Sequence, residues 1–105
     1  MRRISLFLLT AILLAACQWV KLSPEGERVR VGNAAEVASC TKLGEVSGRT
    51  TVTVGPAARN EAKIATEIET LARNEAATLK GNPNVIVPLA PVDWDHRDYA
   101  AYRCD

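Results

Sequence analysis

Ile64-Ala65-Thr66-Glu67-Ile68-Glu69-Thr70-Leu71-Ala72-Arg73-Asn74-Glu75-Ala76-Ala77-Thr78-Leu79-Lys80-Gly81 is the stretch whose reading decides the fold. Ile64, Ile68, Leu71, Ala72, Ala76 and Leu79 recur at steps of three and four, which puts them on one face of an α-helix. Lys63, Glu67, Arg73 and Glu75 fall mainly off that stripe. Glu69 and Arg73 stand four apart in the favourable order for an ion pair along the helix. Gly81 supplies a left-handed stop and Pro83 prevents resumption. The pattern predicts a helix from about Arg59 to Lys80 whose apolar face packs on the chain's own sheet.

Working outward, the flanks read as strands and turns. Gly55-Pro56 stops a β-branched run, Thr50 to Val54, that reads as a strand. Before it, Leu43-Gly44-Glu45-Val46 is extended, and Gly48 marks a bend or bulge. Asn33-Ala34-Ala35-Glu36 has the spacing of a capping box and predicts a short helical turn carrying Val37 towards Cys40. Arg28 to Val31 alternates and predicts a first strand. On the other side of the helix, Val85-Ile86-Val87 is apolar without alternation, as in a strand covered on both faces near a sheet's centre. Asp93 to Asp98 reads as a charged loop. Tyr99 to Cys104 reads as a last strand, with Ala100, Tyr102 and Cys104 on one face and Tyr99, Ala101 and Arg103 on the other. The expected class is α+β, one main amphipathic helix packed on a small, mostly antiparallel sheet.

The N-terminus has a different character. Met1-Arg2-Arg3 is cationic, and Ile4 to Ala16 is apolar apart from Ser5 and Thr10. This stretch is shorter than the ~20 residues of a comfortable membrane span, and it matches a secretory signal. Ordinary cleavage after Ala16 would place bulky Leu14 where a small residue is wanted. Leu14-Ala15-Ala16-Cys17 instead meets the lipoprotein requirement: a branched apolar residue, two small ones, then Cys. A thiol is nucleophilic enough to be alkylated by a diacylglycerol donor. Each buried acyl methylene then contributes about 0.8 kcal/mol, and two or more chains make anchoring stable. The expected division is a lipoprotein signal peptide over 1–16, a lipidated tether over 17–27, and a single domain over 28–105. Gln18 in place of Asp points to the periplasmic face of the outer membrane. Trp19 and Val20 fit either the bilayer interface, where Trp is favoured, or a place packed back on the domain.

Assigning Cys17 to lipid leaves Cys40 and Cys104 from a total of three cysteines. In an oxidising envelope the default for such a pair is a disulfide. Two free thiols or a metal pair are the alternatives, although no Cys-x-x-Cys spacing favours zinc. Loss of Arg2 and Arg3 with the signal leaves eleven basic residues against twelve acidic ones. That balance gives no nucleic-acid footprint, which needs clustered Lys and Arg. The mature chain is long enough for one domain only.

Candidate site residues are few. His96 is the sole histidine, which leaves little material for a metal site or a hydrolytic triad, and the chain reads as non-enzymatic with no cofactor. Asp93, Asp95 and Asp98 could wrap a hard cation, although the central Gly and distal Glu of an EF-type loop are missing. Ion pairing of Arg97 with a neighbouring Asp is the simpler expectation. Trp94 could act as a lid over a small ligand.

The order of Cys17, then Val37-Ala38-Ser39-Cys40-Thr41-Lys42-Leu43-Gly44-Glu45-Val46, then Leu71-Ala72-Arg73-Asn74-Glu75-Ala76-Ala77, then Tyr102-Arg103-Cys104 resembles the small bacterial lipoproteins grouped as domain-of-unknown-function family 4156. That resemblance implies an envelope lipoprotein and no particular activity. More distantly, the Val-Ala-x-Cys-x-x-Leu-Gly theme and Ala76-Ala77-Thr78-Leu79 before Gly81-Asn82 are similar to the outer-membrane stress sensor of the Rcs phosphorelay. That sensor has two disulfides and a long linker. Here there are cysteines for one bridge and a short tether, so the similarity implies a shared fold rather than a shared function. The sequence therefore carries three readings: an interaction domain with an envelope-protein or cell-wall partner, a small-ligand or cation module at 93–98, and a stress sensor.

Overall fold

Asn60 starts the helix. Its side chain accepts from the backbone N–H of Ala62 at 2.8 Å and of Lys63 at 3.4 Å, satisfying two donors that a helix start leaves open. Helix α1 then runs Glu61–Ala76. The computed structural model describes residues 20–54, 57–58 and 60–105. The expected signal peptide, Cys17, Trp19, the Gly55-Pro56 stop and the Arg59 helix start lie outside the described residues.

The helix is shorter at its C-terminal end than its periodicity predicts. Thr78 and Leu79 bond back three residues, to Glu75 and Ala76, so the last turn tightens before Lys80. Gly81 and Asn82 follow with φ of +94° and +54°. Two successive left-handed residues are tolerated because one lacks a Cβ and the other is Asn. They turn the chain into the sheet.

Strands β1 (Arg30–Val31), β2 (Thr41–Arg49), β5 (Val85–Pro88) and β6 (His96–Arg103) form one sheet in the order β1-β5-β6-β2. β5–β6 and β6–β2 pair antiparallel, whereas β1–β5 is parallel, so the sheet is mixed. A second, two-stranded ladder joins β3 (Thr53–Val54) to β4 (Ala57–Ala58). The expected strand over Thr50 to Val54 is thus reduced to its last two residues. Asn33 does cap the turn after β1, accepting from Glu36 N–H at 3.0 Å, but 34–39 remain turns rather than helix. The Glu36 carboxylate pairs instead with Arg30.

The unalternating run of β5 has a clear cause: both of its faces are covered. Ile86 joins Val29, Val46, Ile64, Ile68, Ala72, Ala76, Tyr99 and Ala101 in the cluster under the helix. Val85 and Val87 pack on the opposite face with Val37, Tyr102, Cys40 and Cys104. The strand alternation expected for Tyr99 to Cys104 sorts these side chains correctly. Cys40 and Cys104 form a disulfide, which seals the second face. Asn84 clips the same corner by donating to Cys104 C=O at 2.6 Å and accepting from its N–H at 2.8 Å.

Three local expectations are corrected. The irregularity in β2 lies between Lys42 and Gly44, not at Gly48. Glu67 is not on the solvent side, being only 8% exposed, and it accepts from Thr50 Oγ1 at 2.7 Å. Arg73 turns away from Glu69 to donate to the carbonyls of Val29 and Glu27. For Glu67 and Arg73 a partner distant in sequence displaces the local pattern. Among the described residues no helix is long and apolar enough to cross a membrane.

Candidate functional site

The β5–β6 connection holds the acidic cluster. Asp93 and His96 close its tip, exchanging backbone bonds at 2.8 and 3.1 Å. β6 begins at His96, so the charged segment is part turn and part strand. The three aspartates diverge from there. Asp95 is bound by Arg49, whose Nη1 donates to its two oxygens at 2.9 and 3.0 Å, and lies 3.1 Å from His96 Nδ1. Asp98 accepts from Ser47 Oγ across the β2–β6 ladder. The Asp93 backbone, not its carboxylate, makes the turn's bonds. Among the described residues no group of three His, Cys, Asp or Glu side chains is placed to hold a metal ion.

The electrostatics follow from these partners. The His96 hydrogen bond, with the charge and hydrogen bond of Arg49, holds the Asp95 carboxyl below the usual carboxylate range, against a smaller desolvation. Arg97 does not pair with an aspartate. Its Nε donates to Ala90 C=O at 2.6 Å, and its guanidinium lies over the Tyr99 ring at 5.8 Å. Burial pushes the Tyr99 hydroxyl up, with Arg97 opposing. Ser47 donates to Asp98 while His96 faces Asp95, so hydroxyl and imidazole belong to separate pairs. An activated nucleophile needs them joined.

Trp94 stands apart from this network. Its φ is +56°, and it is 74% exposed. With Val92 it borders an open groove of about 680 Å³ completed by Val52, Glu61, Ala62, Ile64 and Ala65. The floor is the first turns of α1. A smaller groove of about 310 Å³ lies beside it, lined by Val20, Ala62, Lys63, Thr66, Glu67 and Thr70. Ala62 borders both, so the two grooves meet at the N-terminal end of the helix.

Val20 is held there by the segment that follows it. Asn74 Oδ1 accepts from Ser23 N–H at 2.8 Å, and Asn74 Nδ2 donates to Lys21 C=O at 2.9 Å. Gly26 N–H donates to Ser23 Oγ at 2.9 Å, leading into a 3-10 turn at Gly26–Arg28. Residues 21–27, expected as tether, are thus fastened to α1. From Ser23 back to Val20 the chain runs from Asn74 towards Ala62, along the helix and towards its N-terminal end.

Sequence reasoning found the disulfide and the acidic segment, left open whether Val20 faces the bilayer or the domain, and missed Asn74. The Ser23-Pro24-Glu25-Gly26 signal reads equally well as a linker turn or a docked one. Residues 20–104 match the family described as a domain of unknown function, DUF4156. The chain belongs to that family. No curated protein and no solved structure matches it.

Proposed function

We propose that this DUF4156 domain is a non-enzymatic envelope lipoprotein, acylated on Cys17 and held on the periplasmic face of the outer membrane. There it engages an envelope protein or a cell-wall component close to the bilayer. The observation that supports this reading most is the adjacency of Leu14-Ala15-Ala16-Cys17 to the segment docked on α1. Only Gln18 and Trp19 separate the acylation site from Val20. Three residues reach at most about 10 Å, so a lipid on Cys17 keeps the whole domain at the membrane surface. A disulfide between Cys40 and Cys104 fits an oxidising compartment. Among the described residues, Asp95 binds Arg49 and His96, and Ser47 binds Asp98.

Crosslinking in intact cells, followed by recovery of the tagged protein, tests the interaction. The expected result is a discrete envelope adduct that disappears in Cys17→Ala, because the unacylated chain loses its position. Recovery of nothing above background from correctly acylated protein contradicts the reading.

A further inference from the structure

We propose that the end of the domain carrying Trp94 and Val92 rests in the bilayer interface beside the lipid anchor, giving the protein a second membrane contact. The inference rests on the acylation of Cys17 proposed above. It starts from an indole that the fold does not use. Trp94 is 74% exposed at a turn tip with φ +56°. Gly and Asn fill such positions readily, whereas a bulky side chain there is an outlier. Neither turn chemistry nor core packing accounts for Trp at this site.

Its neighbours extend the surface. Val92, 40% exposed, borders the same groove as Trp94, and Leu89, 51% exposed, lies on the same connection without lining that groove. Single exposed apolar residues need no explanation, but a contiguous group marks an interaction surface. The occupant is indicated by where the chain comes from. The docked segment runs along α1 from Asn74 towards its N-terminal end, and Val20 lines a groove that reaches from Thr70 to Ala62. Trp94 and Val92 border the same Ala62 from the other side. Cys17 lies three residues before Val20, within ~10 Å of it. An acyl chain on Cys17 therefore enters the bilayer at the end of the domain that displays the indole.

The chemistry of this end suits a lipid interface of low charge. Glu61 and Asp93 outnumber Lys63 by one, and Arg49 is paired with Asp95, so this end carries no excess of positive charge. Attraction to anionic headgroups is therefore small, and the contact is carried by apolar side chains. Trp is favoured at this depth because its ring is apolar and its N–H finds a partner among the headgroups.

The test uses the mature acylated protein reconstituted into phosphatidylcholine vesicles. The chain has two tryptophans, so Trp19→Phe leaves Trp94 as the sole reporter. Phosphatidylcholine brominated near the top of its acyl chains quenches an indole in the interface and leaves one in water untouched. The expected result is loss of about half the Trp94 emission, as for a side chain seated 5–10 Å into the headgroup boundary. Unquenched Trp94 in vesicles that carry the protein on flotation overturns the proposal. A blue-shifted but unquenched Trp94 does so too, and assigns the surface to a protein partner or a second copy. Failure to float, with an intact mass lacking acyl groups, instead removes the anchoring reading on which the proposal stands.

Discussion

Replacing Gly48 with Ala tests how the helix lies on the sheet. A Cβ at Gly48 would stand 1.9 Å from the Ile68 carbonyl oxygen, 2.7 Å from its carbon and 3.0 Å from its Cα. Carbon contacts are comfortable at about 3.5–4.0 Å, so helix and strand must separate by well over 1 Å. The obstructing atoms are backbone, and Ile64, Ile68 and Ala72 on the same helix face are already buried. The substitution therefore cannot be absorbed by a rotamer change. Overpacking costs about 1–3 kcal/mol, and a rigid backbone clash belongs at the upper end of that range. For a domain of this size ~3 kcal/mol lowers Tm by roughly 12–24 °C. Gly44→Ala is the matched control in the same strand. Its Cβ would meet Leu79 Cδ1 at 3.5 Å, an ordinary contact, and losing a strand glycine is worth about 0.5–1 kcal/mol in its favour. Thermal melting by circular dichroism reads both variants. A Gly48→Ala protein that melts with or above Gly44→Ala refutes the packing described for α1 against β2.

The other consequences are more local. Cys40→Ser or Cys104→Ser opens a loop with a sequence separation of 64. On loop-entropy grounds this costs on the order of 4 kcal/mol; identical melting of the native protein with and without reductant contradicts it. Asn74→Ala removes both bonds that fasten the N-terminal segment, each worth about 1 kcal/mol net. Amide exchange at Ser23 should accelerate roughly tenfold or more while β6 is unaffected, and unchanged exchange at Ser23 argues against docking. The Asp95 carboxyl is held low by His96 and Arg49, so its ionised form favours the native state. That contribution is in place above the ordinary aspartate value of about 3.9 and is lost as pH falls through the lower native value. A carboxyl NMR titration should place the Asp95 midpoint below the ordinary value, and Arg49→Ala should move it up. A midpoint at or above the ordinary value contradicts the pairing.

What the sequence disclosed, and what it hid, follows from the range of the forces involved. The apolar stripe of α1 was legible because its period is local, and the Cys40–Cys104 pairing because only two cysteines remained once Cys17 was set aside. The buried β5 could be read from Val85-Ile86-Val87, since one uninterrupted apolar run demands cover on both faces. Gly48 reads as a bend or bulge, but the ladder is regular there, and the glycine is required by the Ile68 carbonyl, twenty residues away. Glu67 occupies a position that periodicity assigns to solvent. Its burial became intelligible only with Thr50 beside it. Arg73 likewise had a plausible local partner in Glu69 and took the Val29 and Glu27 carbonyls instead. The surface around Trp94 was least legible. Its acidic neighbours suggested a cation loop, whereas the ladder hands Asp98 to Ser47 and the turn hands Asp95 to Arg49. That the grooves bordered by Val20 and by Trp94 share Ala62 is a tertiary fact with no local signature.

The account turns on Cys17. The intact mass of the protein extracted from bacterial membranes decides it most directly. Acylation predicts a chain beginning at Cys17, carrying a diacylglyceryl group and a further acyl group, with the Cys40–Cys104 disulfide formed. A chain that begins elsewhere, or at Cys17 with its thiol and amine unmodified, contradicts the membrane anchor and every inference of proximity drawn from it.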